Sequence, residues 1–108
     1  MTFSHPLWYN HDMNTTTNIY EVLDPLFRGS ARIAFQKISG RSVERYATCC
    51  VPTMLREGAS EANVRSLMFH NADESKPTIL FWDIQEGGLR SFRKDRFEDI
   101  FPVVVEGA

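Results

Sequence analysis

The sequence predicts a small, mainly β domain: a five-stranded SH3/Sm-like barrel preceded by a short N-terminal helix and a flexible N-terminal arm. Three observations carry this. Residues 31–38 alternate so that Ile33 and Phe35 share a face, and after Ser39-Gly40 residues 42–49 return as a partner strand. Residues 78–85 are an apolar run, followed by Glu86-Gly87-Gly88 as a turn and residues 89–94 as a second hairpin arm. Finally, a chain of 108 residues holds one core and no separate lobe. A strongly bent sheet of that size closes on itself because closure removes exposed edges.

Taken in order, residues 1–18 show no periodicity, end in a polar tract and read as the arm. Translation from Met13 would shorten it. Phe3, Leu7, Trp8 and Tyr9 are apolar side chains for such a segment. Either they tuck onto the barrel's own surface, or they anchor a partner or a second subunit. Residues 19–27 place Ile19, Val22, Leu23 and Leu26 at helical spacing, with Asn18 as N-cap and Gly29 as stop; Pro25 keeps this helix short or kinked. Pro52 is expected to end the second strand. Residues 53–77 read as a variable insertion, with a weak helical patch over 61–68 and a loop over 71–77. A short closing strand is expected at 101–105, with Pro102 tolerated at an edge. The domain thus spans 19–108.

Composition excludes several function classes. With 12 basic and 14 acidic residues the formal charge is −2, so no global field draws the chain to nucleic acid or to an anionic membrane. No apolar run approaches the ~18–20 residues of a membrane span, and the N-terminus lacks the basic and apolar regions of a secretory signal. Cys49 and Cys50 are adjacent, a spacing that disfavours a bond between them, and read as reduced thiols of a cytoplasmic protein.

The residues offer no reaction. There is no nucleophile elbow, phosphate-cradling glycine loop or zinc-binding helix motif. His5, His11 and His70 with Asp12 lack any feature that would fix a metal geometry. A Cys50–His70 nucleophile pair lacks an organised base and oxyanion donors. No cofactor and no metal are expected. Charge distribution says more. Between Arg28 and Tyr46 stand Arg28, Arg32, Lys37, Arg41 and Arg45 against Glu44 alone. The last hairpin adds Arg90, Arg93, Lys94 and Arg96 among Phe92 and Phe97, offset by Glu86, Asp95, Glu98 and Asp99. Arginines beside aromatics bind phosphates and stacked bases in small barrels. The same pattern also arises as surface ion pairs on an edge strand of a protein-binding domain. Trp82 is read as core, with base stacking as the alternative.

The segment Phe81-Trp-Asp-Ile-Gln-Glu-Gly-Gly-Leu-Arg-Ser-Phe-Arg-Lys-Asp-Arg-Phe97 resembles the closing hairpin of WYL-type domains, and most of all the short, stand-alone WYL-like proteins of bacteriophages. The matching positions are Arg90, Phe92, Asp95, Arg96 and Phe97, and the resemblance spans roughly residues 19–105. It implies an SH3/Sm-like barrel with Arg90 and Arg96 along a groove that, in larger regulators, senses nucleic acid or nucleotide ligands. Lys94 departs from the pattern, where an apolar residue is usual. By strict alternation it shares a face with Phe92, a conflict that a bulge near Gly87-Gly88 or at Arg93 would resolve.

The expectation is therefore a non-enzymatic, phage-type cytoplasmic binding module for single-stranded nucleic acid or a nucleotide. Arg32, Arg45, Arg90, Arg93 and Arg96 would contact phosphate, and Tyr46 or Trp82 would stack. The alternative is an inhibitor or adaptor docking on a host protein through Phe3, Leu7, Trp8 and Tyr9 and an exposed strand edge, and a ring-like oligomer is a further expectation of the Sm class.

Overall fold

The computed structural model describes residues 18–105. Two helical turns come first, α1 (Ile19–Val22) and α2 (Asp24–Arg28). Asn18 caps the first by accepting from the Tyr20 N–H at 2.8 Å. Pro25 lies in the first turn of α2, where its missing N–H costs nothing, so the chain breaks at Leu23 between two turns. Leu23 and Leu26 are fully buried. The rest of the arm, with Phe3, Leu7, Trp8 and Tyr9, lies outside the described residues.

Five strands follow, β1 (Gly29–Gln36), β2 (Ser42–Thr48), β3 (Thr78–Asp83), β4 (Gly88–Arg93) and β5 (Phe97–Val105). They form one antiparallel sheet in the order β4-β3-β2-β1-β5. The expected closure needs correction: no pairing joins β4 to β5 among the described residues, so the ladder is open between its two edges. Alternation on β1 buries Ala31, Ile33 and Phe35 and turns Arg32 outward. The rings of Phe35, Phe81, Phe92 and Phe97 make one aromatic core, with neighbouring centroids 5.4–6.1 Å apart. The last strand is longer than expected, because Phe97 already pairs with Phe35.

Two expectations about the middle of the chain need correction. Pro52 does not end a strand: β2 stops at Thr48, and Pro52 occupies the first turn of α3 (Val51–Arg56). Residues 61–72 form a full helix, α4 (Glu61–Ala72), where a weak patch and then a loop were expected. It opens on a capping box between Ser60 and Asn63. Gly58, at φ +101°, makes the turn from α3 into it. Met54, Val64 and Leu67 are core residues, so 53–77 completes the hydrophobic interior.

The helix was hard to read because its inward stripe contains a polar residue while apolar Met68 and Phe69 face out. That polar residue, Asn71, has a structural task. Its side chain accepts from the Leu80 N–H at 2.9 Å and donates to the Leu80 carbonyl at 2.8 Å. β2 pairs with β3 only at Ala47↔Asp83 and Thr48↔Trp82, which leaves the edge at Leu80 without a strand neighbour. The Asn71 amide supplies both missing hydrogen bonds.

The conflict at Lys94 is resolved by neither expected bulge. Residues 94–96 form a 3-10 turn that interrupts the alternation. Phe92 is buried, whereas Lys94 turns away to the Tyr20 ring, 4.9 Å from its centroid, and donates to the Glu74 carbonyl at 2.9 Å.

Candidate cationic cleft

Because β2 pairs with β3 only at Ala47 and Thr48, its first half and the preceding turn from β1 project past the sheet and face β4 across a gap. The gap is a cleft of about 630 Å³. Phe35, Val43, Leu89 and Phe92 give it apolar walls; Lys37, Arg45, Arg90, Arg93 and Arg96 are its charged lining. Among the described residues no carboxylate lines it.

Register explains this gathering. Ile33 stands opposite Arg45, and Phe81 opposite Arg90, so both arginines sit on the core face of the sheet at its open end. Such a position demands a partner for each charge. Asp83, with no exposed surface, provides it for both: its Oδ2 lies 3.0 Å from Arg90 Nε and 3.6 Å from Arg45 Nε. The other oxygen, Oδ1, accepts from the N–H groups of Gln85 and Glu86 at 3.1 and 2.9 Å, which fixes the carboxylate to the turn that begins β4. Arg45 also donates from Nη1 to the Glu44 carbonyl at 3.0 Å. The Nη groups of Arg90 have no partner among the described residues.

At the other end, Arg96 donates to the Lys37 carbonyl at 3.0 Å, tying the 3-10 turn to the β1–β2 hairpin. Arg93 is neutralised by a two-pronged pair with Asp95, at 3.0 and 2.9 Å. The hydrogen bond from Arg93 holds the Asp95 carboxyl below its ordinary range and raises the guanidinium in turn. The other expected neutralisers act elsewhere. Glu98 accepts from Ser42 Oγ at 2.8 Å, and Asp99 accepts from the Ile100 N–H.

Four of the seven predicted ligand-binding residues, Arg45, Arg90, Arg93 and Arg96, thus line one cleft. Arg32 and Tyr46 do not join them. They stand opposite each other on the reverse face of the β1–β2 ladder, where Arg32 pairs with Glu44 at 3.1 Å and covers the Phe101 ring at 4.6 Å. Trp82 is 4% exposed, in keeping with its reading as a core residue, and the alternative of base stacking finds no open ring face. Sequence reasoning missed Lys37 as a lining residue and Asp83 as the acid that holds two arginines. The available signal for Asp83 was its place at the end of an unbroken apolar run, where a carboxylate is buried unless something pairs with it.

The remaining reactive groups are satisfied structurally. Burial, with Cys50 beside it, pushes the Cys49 thiol far above its ordinary range, and its Sγ contacts the Leu80 carbonyl. His70 hydrogen-bonds Thr78. Among the described residues no cluster of His, Cys, Asp or Glu has the makings of a metal site, and no helix is long and apolar enough to cross a membrane. No protein-family model matches the chain, and neither does any curated protein or solved structure.

Proposed function

We propose that this protein is a non-enzymatic binding module, built as an SH3/Sm-like barrel of the WYL-like phage type, that recognises single-stranded nucleic acid or a nucleotide in the cytoplasm. One observation carries the reading: Lys37, Arg45, Arg90 and Arg96 converge on a single cleft with apolar walls and, among the described residues, no carboxylate in its lining. Arginine is suited to this because its planar fork meets phosphate oxygens in pairs and its weak hydration lets it work against apolar surface. The buried Asp83 keeps two of these forks in place before a ligand arrives, and preorganisation reduces the cost of binding.

A titration of labelled single-stranded DNA and RNA, followed by fluorescence anisotropy at low and near-physiological salt, tests the reading. Phosphate-led binding weakens with a log–log slope of about −0.7 per phosphate contacted, and Arg90→Ala abolishes most of it. Absence of binding at low salt, for these strands and for free nucleotides, overturns the reading.

A second reading, an inhibitor or adaptor for a host protein, has its own support on α4. Phe69 is 85% exposed and Met68 54% exposed, side by side on that helix. Loss of a captured partner in Phe69→Glu, with phosphate binding absent, would favour it.

A further inference from the structure

Helix α4 carries apolar residues on two faces. Val64 and Leu67 belong to the core, while Met68 and Phe69 stand 54% and 85% exposed. With Arg65, Ser66 and Ala72 they line a shallow groove along the outside of the helix, to which no other described element contributes. Surface apolar side chains scattered singly are ordinary, but two large neighbours in one groove mark a contact surface.

The described chain begins beside one end of this groove. Lys94 spans the distance: its Nζ lies 4.9 Å from the centroid of the Tyr20 ring and donates to the Glu74 carbonyl at 2.9 Å. Glu74 stands two positions beyond Ala72, the last groove residue, and Tyr20 two positions beyond Asn18, the first described residue. Residues 1–17 therefore join the fold next to the C-terminal end of α4.

The sequence of those residues has two parts. Residues 10–17 are polar apart from Met13, whereas residues 3–9 hold Phe3, Leu7, Trp8 and Tyr9 and no Lys, Arg, Asp or Glu. A spacer of that length reaches about 28 Å when extended and averages about 16 Å when coiled. Phe69 and Met68 lie only about one turn back from the end of α4, roughly 5 Å along its axis. A segment tethered so closely meets the groove at an effective concentration near millimolar, so a competitor present at micromolar concentration needs about a thousandfold tighter binding to displace it.

We infer that the groove on α4 is occupied by the chain's own N-terminal segment, with Leu7, Trp8 and Tyr9 against Met68 and Phe69. Aromatic rings pack favourably on a thioether and on another ring. This surface is separate from the cationic cleft and does not depend on how the cleft is read. An outside partner of the kind raised for Phe69 reaches it only by displacing the segment.

The fluorescence of Trp8 in the full chain tests this, taken as the difference between the parent and Trp8→Phe, since Trp82 is buried and common to both. The expected Trp8 emission is blue-shifted and shielded from acrylamide. Phe69→Ser, measured by the same difference, shifts it to the red and opens it to the quencher. Phe69 is no part of the core, so this variant stays folded, which a thermal melt confirms. Ile38→Ser, at a residue 86% exposed beside the cationic cleft, leaves Trp8 shielded. NOEs between the Trp8 ring and the Met68 methyl locate the contact, and a mixture of differently labelled chains shows that they arise within one chain. A water-exposed Trp8 in the parent overturns the inference and leaves the groove to a partner from outside. A shielded Trp8 that ignores Phe69→Ser, or that Ile38→Ser releases, places the segment elsewhere and also overturns it. NOEs between chains, lost on dilution, assign the groove to a second copy and overturn it likewise.

Discussion

The two faces of the β1–β2 hairpin carry the same kinds of residue and use them differently. On the outer face Arg32 has Glu44 beside it and Phe101 beneath it, all partly open to water. On the core face Arg45 shares the fully buried Asp83 with Arg90. An exposed pair is screened and its members are free to separate, so it contributes little and specifies little. A buried carboxylate cannot be left alone, so it holds its arginines in one place. Arginine and aromatic content is therefore a poor guide to a site, and the burial of the acid that organises the arginines is a better one.

That contrast can be broken most directly at the two acids. Asp83→Ala should destabilise by about 1.5–3 kcal/mol, because the Gln85 and Glu86 N–H groups lose their charged acceptor and Arg45 and Arg90 lose their shared carboxylate. If urea unfolding shows Asp83→Ala and Glu44→Ala to be alike, the contrast between the faces is wrong. The same logic applies to a neutral group at Asn71. Asn71→Leu leaves the Leu80 N–H unpaired beside the core, and its carbonyl with only the weak Cys49 thiol donor, and should cost about 1–3 kcal/mol, measured by the shift in denaturation midpoint. A smaller loss would mean that water reaches that edge.

Binding sharpens the comparison. Arg90→Ala should reduce affinity for a phosphate-bearing ligand by about tenfold or more, and Arg32→Ala by no more than about twofold. Calorimetry that ranks them the other way would move the site to the outer face.

A smaller effect concerns pH. The folded Cys49 thiol titrates above its ordinary range because it is buried, so the folded chain keeps a proton that the unfolded chain releases near pH ~8.5. Below that pH both states are protonated and the contribution is complete; as pH rises beyond it, stability falls. Denaturation midpoints of the parent should therefore decline more steeply on the alkaline side than those of Cys49→Ala. Equal slopes would show that the thiol is reached by solvent. The smallest change is expected for Glu44→Gln, under about 1 kcal/mol and reduced further by salt.

Much of the sheet was legible because local chemistry determines it. Alternation from Ala31 to Phe35, the turns at Ser39-Gly40 and Gly87-Gly88, and the cap at Asn18 are readable within a few residues. The positive φ of Gly40 and Gly87 fits those turns. The helical half of the middle segment was not legible, since α4 buries only Val64, Leu67 and Asn71 and wears Met68 and Phe69 outside. Its inward face makes sense only once the unpaired edge of β3 lies beneath it. The 3-10 turn at Lys94 was invisible for a similar reason, because strand alternation has no means of announcing its own interruption.

By itself, the sequence determined a small, mainly β domain, the identity of its hairpins, and a store of arginines in the first and last of them. Both hairpins follow from contacts within about a dozen residues, where side-chain period and turn residues act directly. Only the tertiary structure decided which arginines meet. Asp83 and Arg90 share the local β3–β4 hairpin, but Arg45 reaches them only through the register Ala47↔Asp83, a pairing between residues far apart in the chain. Register is set by burying one whole face of each strand at once, so it is a property of the packed sheet and of no single segment.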